Sequence, residues 1–221
     1  MLPANEPLGW LFSLQMLQAR HDTLYCGDVM RMSPMDRTHY LVTLMSKYVF
    51  EIQRDAYTPE AGNTVGKRVT DMIITTTSLL TALNIDMGSM LQKLNSPASN
   101  EFTLMQWLKD NYTYAFGQNI SWRAAQVYQQ RKEYYVALPI YMSQLVDAVS
   151  SMILMSRDTK TKPVITNAAM HLWIQCVISH AMHGHQSFTD DVRDRLNEVE
   201  RKNIMHKSYG LYPAYNVVKM V

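Results

Sequence analysis

Three histidines close together near the end of one apolar segment are the densest group of potential metal ligands in the sequence. They are His180, His183 and His185, with His171 upstream. Positions 180 and 183 share a helix face, and neutral imidazoles at that spacing can bind Zn²⁺ or another borderline metal. A second interpretation stays open, in which Gly184 ends the helix and the histidines complement the negative end of its dipole.

A run of basic and aromatic residues has the composition of a site for single-stranded nucleic acid, in which bases stack on rings and cations hold phosphates. Its members are Arg123, Arg131, Lys132, Trp122, Tyr128, Tyr134 and Tyr135. Aromatic residues at these intervals are also typical of the core of a helical bundle, and the net charge is only +2. We therefore expect no nucleic-acid partner. The sequence also contains no nucleophile elbow and no glycine-rich phosphate loop.

Helical periodicity dominates the sequence and must position any functional side chain. Ser33-Pro34-Met35-Asp36 supplies an N-cap, a proline at the first helical position and an acidic capping partner. The helix that it opens carries an apolar stripe and stops near Tyr57. Stripes of the same period predict further helices around 10–20, 65–83, 87–94, 101–116, 121–157, 164–183 and 189–205. Pro139 is expected to kink the longest of them. The predicted fold is an all-α helical bundle with four helices in its first half and an irregular tail.

A linker divides the chain into two halves, residues 1–95 and 101–221, on either side of Asn95-Ser-Pro-Ala-Ser-Asn100. The pattern that begins Arg37-x-x-Tyr recurs as Arg131-x-x-Tyr at an offset of 94 residues. Either the halves are degenerate repeats that form an intrachain pseudo-dimer, or the match arises by chance among similar helices. A four-helix half is marginally stable alone, so we expect this pseudo-dimer or a homo-oligomer.

The order of elements in the first half follows a recognisable plan. A helix with Leu14-Gln15 precedes a capped helix that ends Lys47-Tyr-Val-Phe-Glu51-Ile, then Arg68-Val-Thr-Asp71, and a Leu83-Asn-Ile-Asp86 turn before a short helix. Over residues 8–95 this order resembles the MazG and dimeric-dUTPase superfamily of all-α nucleotide pyrophosphohydrolases. The resemblance implies a MazG-like four-helix core. It also implies a site in which E-x-x-E and E-x-x-D pairs on two helices hold Mg²⁺ while water attacks the α-phosphorus.

Only the last acid of each pair is present. Glu51 and Asp71 occupy those positions, and the resemblance implies that they are catalytic and metal-binding. Tyr48 and Arg68 stand three residues before them, where the family has acids. The changed site has lost two carboxylates and gained a cation, which disfavours a bound dication.

Further cations flank the two acids and leave two interpretations open. In the first, Glu51–Arg68 and Asp71–Lys67 are ion pairs that hold the helices together. In the second, the site binds nucleotide phosphates directly. The side chains that would then contact the nucleotide are Lys47, Tyr48, Lys67 and Arg68.

We therefore expect a nucleotide-binding or regulatory protein on this scaffold, with Mg²⁺ as a cofactor only if hydrolysis survives. The alternative is a helical structural or interaction protein, such as a viral or phage assembly component, because 17 methionines suit adaptable helix–helix seams. Cys26 and Cys176 lie far apart, which indicates a reducing compartment. The most apolar window, 164–182, contains polar residues that a bilayer disfavours, and the N-terminus lacks the features of a secretory signal. We expect a cytoplasmic protein with no membrane partner (in the host cytoplasm if the protein is viral).

Overall fold

The structure is a computed structural model that describes residues 9–56, 62–94, 96, 99–111, 128–155, 161–182 and 187–208. Every regular element in these ranges is an α-helix, which confirms the all-α class for this part of the chain. The helices are α1 (Gly9–Tyr25), α2 (Gly27–Arg31), α3 (Pro34–Ala56), α4 (Gly62–Ala82), α5 (Met87–Lys93), α6 (Glu101–Asn111), α7 (Tyr128–Met155), α8 (Thr161–Met182) and α9 (Phe188–Ser208). Among them, none is both long and apolar enough to cross a bilayer.

The capping signal at the start of α3 acts as predicted. The Asp36 backbone N–H donates to Ser33 Oγ at 3.1 Å, and the Ser33 hydroxyl donates to the Asp36 carboxylate at 2.7 Å. The helix α2 has no predicted counterpart, so the described first half has five helices and the expected number of four is wrong. None of the five residues of α2 is buried, and it therefore lacks the apolar stripe by which a helix is predicted.

The turn between α4 and α5 has a Schellman geometry. Asn84 adopts a left-handed conformation with φ 54°, which asparagine tolerates better than most residues. The Ile85 N–H donates to the Leu80 carbonyl at 2.9 Å, and the Asp86 carboxylate then caps α5 by accepting from the Gly88 N–H at 3.0 Å. Gln15 of α1 fixes this turn, because its amide donates to the Ile85 carbonyl at 2.8 Å.

One apolar core runs through both halves of the described chain, with members from Leu11 in α1 to Leu196 in α9. The helix α8 lies at its centre and is buried on nearly all sides between residues 168 and 180. A helix that is apolar around its whole circumference requires such a central position. It packs against α7 and α4, and α3 packs against both of these helices.

The C-terminal helix α9 is fixed at its first residues. The Phe188 ring lies 6.0 Å from the Trp10 ring and 5.7 Å from the Trp173 ring. Its backbone N–H donates to the Glu101 carboxylate at 2.5 Å, and the Thr189 hydroxyl donates to the same carboxylate. These contacts place the following turns of α9 against α4.

Candidate functional site

The two acids that the sequence resemblance singles out, Glu51 of α3 and Asp71 of α4, both contact one arginine of α4. Arg68 Nε lies 2.7 Å from Glu51 Oε2, and its Nη1 lies 3.5 Å from Asp71 Oδ2. Glu51 is near the end of α3 and Arg68 near the start of α4, which fits consecutive antiparallel helices. Both acids therefore contact the same arginine, and the predicted Glu51–Arg68 ion pair is confirmed.

Asp71 has its strongest contact with a residue that the sequence does not indicate. Arg195 of α9 donates from Nε to Asp71 Oδ1 at 2.6 Å and from Nη2 to Oδ2 at 3.1 Å. This is the bidentate geometry that is typical of a guanidinium and a carboxylate. The side chains of Asp71 and Arg195 are only 7% and 14% exposed. The predicted Asp71–Lys67 ion pair is wrong, because Lys67 lies 2.9 Å from Glu198 instead.

Glu198 is the outer acid of the site and contacts three cations. Its carboxylate accepts from Arg195 Nη1 at 2.6 Å, from Lys202 Nζ at 2.7 Å and from Lys67 Nζ at 2.9 Å. Hydrogen bonds from Lys202 and Lys67 lower the pKa of Glu198 to about 2. Glu198 is 38% exposed, so its contacts reach the surface while those of Asp71 are buried.

Lys47 and Tyr48 complete the site on the side of α3. Lys47 Nζ lies 3.9 Å from Glu51 Oε1 and 6.0 Å from the centre of the Tyr48 ring. Lys47 is 62% exposed, so this ion pair is loose. Burial, and then the charge of Asp71, raise the pKa of Tyr48 to about 12, so the phenol keeps its proton at neutral pH. We call this whole set the charged cluster: Lys47, Tyr48, Glu51, Lys67, Arg68, Asp71, Arg195, Glu198 and Lys202.

These side chains do not fit a Mg²⁺ site of the implied kind. Mg²⁺ demands near-octahedral oxygen ligation, whereas both Asp71 oxygens contact Arg195 and one Glu51 oxygen contacts Arg68. A dication beside them would be repelled by each neighbouring positive charge, by about 4 kcal/mol per unit charge at 4 Å and an effective dielectric constant of 20. The guanidinium groups thus contact the carboxylate oxygens that a metal ion would require.

The sequence predicts the part of the cluster on α3 and α4 but not the part on α9. The part on α9 consists of Arg195, Glu198 and Lys202. Their one signal is local, since an acid at 198 with cations three residues before and four residues after forms a charged face on a helix. Such a face is usually solvated, and nothing in its spacing indicates that it packs against Asp71.

The predicted histidine group is not assembled in the described part of the chain. His180 is buried and its Nε2 lies 2.7 Å from Asp191 Oδ2, which joins α8 to α9. His171 instead stacks on the Tyr141 ring of α7, with 5.3 Å between the ring centres. The metal-site prediction also involved His183 and His185, which lie outside the described residues.

Two other sequence-based candidates are only partly described. Trp122 and Arg123 of the basic and aromatic run lie outside the described residues, and the remaining members of that run lie where side chains are not described. Both cysteines are free thiols, Cys26 being partly buried and Cys176 buried.

The charged cluster has the chemistry of an anion site. It offers five cations, three of which (Lys47, Lys67 and Lys202) have side chains more than 40% exposed, against three carboxylates. Lysine and arginine donate charge-assisted hydrogen bonds to phosphate oxygens. No family model, curated protein or solved structure matches this chain.

Proposed function

We propose that this chain binds nucleotides on a MazG-like all-α scaffold and holds the phosphates through lysine and arginine instead of Mg²⁺. The observation that carries the proposal is the excess of cations over carboxylates in the charged cluster, at the position where the family binds triphosphates. The guanidinium groups of Arg68 and Arg195 supply positive charge in place of a metal. Binding without hydrolysis fits a regulatory protein.

The exposed cations are the ones that a phosphate can reach. Lys47 and Lys67 are 62% and 42% exposed, and their partners Glu51 and Glu198 are 3.9 Å and 2.9 Å away. Exposed ion pairs contribute about 0–1 kcal/mol, so a triphosphate can exchange for these carboxylates at low cost. Arg195 stays with Asp71 because that ion pair is buried and bidentate.

An exposed aromatic ring beside Lys47 suits a nucleobase. Phe50 of α3 is 68% exposed, an unusual state for so apolar a side chain. It lies three residues after Lys47, so the two side chains are neighbours on the helix surface. A base that stacks on Phe50 would place its phosphates toward Lys47 and Lys67. Stacking of this kind contributes about 1–3 kcal/mol per base.

The test is calorimetric titration with dUTP, dCTP and ATP, each with Mg²⁺ and with a chelator. We expect binding to persist in the chelator. The double variant Lys47→Ala and Lys67→Ala should weaken it at least about tenfold, because each charge-assisted hydrogen bond contributes about 1.5–3 kcal/mol. Lys93→Ala is the matched control, an exposed lysine on α5 outside the cluster.

The contribution of the base is tested separately. Phe50→Ala should weaken the binding of nucleotides but leave the binding of inorganic tripolyphosphate unchanged. Phe102→Ala is the control, because Phe102 is 77% exposed on α6, and it should alter neither affinity. Absence of binding by any triphosphate at millimolar concentration would reject the proposed function. Binding that requires Mg²⁺ would reject the exchange of metal for arginine.

The scaffold proposal includes an internal pseudo-dimer of the two halves. It is supported by the single core that contains residues from both halves, and by the recurrence of the Arg37 pattern at Arg131. Superposition of an experimental structure of residues 34–93 on the second half tests it. The helices that carry Arg37 and Arg131 should then coincide.

A second candidate, a helical interaction or assembly protein, is favoured by an apolar row on α1. Phe12 and Met16 lie four residues apart and are 38% and 53% exposed. Residues so spaced lie along one face of a helix, where a second copy could cover them. Light scattering of the full chain should then give a dimer, and Met16→Glu should give the monomer mass.

A further inference from the structure

A second buried polar cluster lies where α1 meets α2, and it shares no residue with the charged cluster. His21, Asp22 and Cys26 place one nitrogen, one oxygen and one sulfur atom within 4.8 Å of one another. The Cys26 N–H donates to the Asp22 carbonyl at 2.8 Å, so the helical path continues beyond the end of α1. Residues four apart on such a path share a face, which brings the thiol beside the carboxylate.

His21 lacks the hydrogen bonds that a buried imidazole requires. Its side chain is 9% exposed, and neither ring nitrogen has a hydrogen-bond partner among the residues that the structure describes. The nearest carboxylate atom, Asp22 Oδ1, lies 4.0 Å from Nδ1, which is too far for a hydrogen bond. Buried polar atoms without a partner are rare and costly in folded proteins. A ligand bound at Nδ1 or Nε2 would remove this cost.

Asp22 is held in place by an outer set of hydrogen bonds. The Gln18 amide donates to Oδ1 at 2.7 Å, and the Ser78 hydroxyl donates to Oδ2 at 2.5 Å. Arg37 Nη2 lies farther away, 3.4 Å from Oδ2. Hydrogen bonds that orient a ligating carboxylate are typical of the surroundings of protein metal sites. Here they keep the acid next to the unpartnered imidazole.

We propose that His21, Asp22 and Cys26 bind a divalent transition-metal cation of the Zn²⁺ type. Nitrogen, oxygen and thiolate donors together select such a cation over Mg²⁺ or Ca²⁺, which prefer oxygen alone. The carboxylate and the thiolate neutralise its charge, and the thiol proton leaves to solvent when sulfur binds. Three protein ligands leave the fourth tetrahedral position to water or to a small ligand.

The separation of the donors is compatible with this site after small side-chain rotations. Bonds of about 2.0–2.3 Å place tetrahedral ligands about 3.3–3.6 Å apart. Donor atoms that are up to 4.8 Å apart must therefore approach one another by up to about 1.2–1.5 Å. Cys26 follows α1 directly, and rotation about its Cα–Cβ bond can supply much of this movement.

Cobalt spectroscopy on the full-length, reduced and metal-free chain tests the site. We expect one equivalent of Co²⁺ to give a thiolate-to-metal charge-transfer band with tetrahedral d–d bands, and Zn²⁺ to displace it. Cys26→Ala should abolish the charge-transfer band, and His21→Gln should weaken cobalt binding at least about tenfold. Cys176→Ala is the matched control and should leave the spectrum unchanged, because that thiol is fully buried in α8.

A second measurement uses no variant, so its result does not depend on whether a variant folds. Alkylation of the unmodified chain, followed by peptide mapping, should show Cys26 protected at least about tenfold by Zn²⁺, with buried Cys176 unreactive in both states. Absence of a charge-transfer band together with unchanged alkylation of Cys26 would overturn the proposal. A charge-transfer band that survives in a folded Cys26→Ala variant would also overturn it. If metal binding lacks this band and disappears in the double variant His183→Gln with His185→Gln, the metal site lies at those two histidines instead, which would also overturn the proposal.

Discussion

Replacing Arg195 with methionine tests whether the inner part of the charged cluster holds α9 to α4. Methionine retains much of the apolar stem of arginine and removes the cation that contacts both oxygens of Asp71 at 2.6 and 3.1 Å. In the variant, the only cation left near the Asp71 carboxylate among the described residues is Arg68, 3.5 Å away. Water cannot compensate for the loss, because the Asp71 side chain is only 7% exposed. The variant therefore loses the pair and leaves a buried charge poorly compensated.

The expected loss follows from the burial of the pair. Removing one partner of a buried ion pair costs about 3–5 kcal/mol, and the remaining Arg68 contact favours the lower limit, about 3 kcal/mol. The same helix offers a matched control in Arg193, whose ion pair with Asp190 spans 2.8 Å but has side chains 59% and 65% exposed. Arg193→Met should cost no more than about 1 kcal/mol.

Urea unfolding monitored by circular dichroism at pH 7 measures both losses. The double variant Asp71→Asn with Arg195→Met should be less destabilised than the sum of the single variants, because the amide leaves no unpaired charge. Equal losses for Arg195→Met and Arg193→Met would refute the inference that burial makes the inner pair the stronger one. An additive double variant would show that Asp71 and Arg195 do not interact.

Three further predictions concern the charged cluster and the helix α5. With Mg²⁺ and a panel of nucleoside triphosphates, pyrophosphate release should stay far below the common enzyme range of about 1–10³ per second, and turnover within that range would show that other acids complete a metal site. The pKa of Glu198 falls from its ordinary 4.5 to about 2 on folding, so its stabilising effect is present above pH 4.5 and is lost as the pH falls toward 2. The unfolding free energy of Glu198→Gln should accordingly vary less with pH across that window than that of the unmodified chain. Asp86→Ala removes the cap of α5 and should cost about 0.5–2 kcal/mol in urea unfolding, whereas a loss near zero would show that the Gln15 contacts alone fix the turn.

The elements that the sequence predicts well are those with a cap and a long apolar stripe. The helix α3 has both, and it begins at Pro34 as expected and ends at Ala56, close to the predicted Tyr57. The short helix α2 has neither, since it buries no residue and depends on its neighbours for its conformation. Local patterns therefore predict the frame of the bundle but not the short segments that its packing imposes.

The charged cluster also has one part that the sequence predicts and one part that it does not. The Glu51–Arg68 pair joins consecutive helices across a short connection, so the positions of the two residues along α3 and α4 suffice to predict it. The pair of Asp71 with Arg195 joins residues 124 positions apart, and only the packing of α9 on the bundle brings them together. The predicted Asp71–Lys67 pair is wrong for this reason, because the sequence shows a cation near Asp71 while the actual partner is distant along the chain.

The burial of each acid indicates how the charged cluster can hold a phosphate without losing the fold. Asp71 is buried and shared by Arg68 and Arg195, so it serves the joint between α4 and α9. Glu198 is 38% exposed and accepts from Lys67 and Lys202, which are themselves 42% and 55% exposed. In the proposed mode of binding, an incoming triphosphate takes Lys47 from Glu51 and Lys67 from Glu198, while Arg195 stays with Asp71. The outer ion pairs are then the exchangeable ones, because water already screens them.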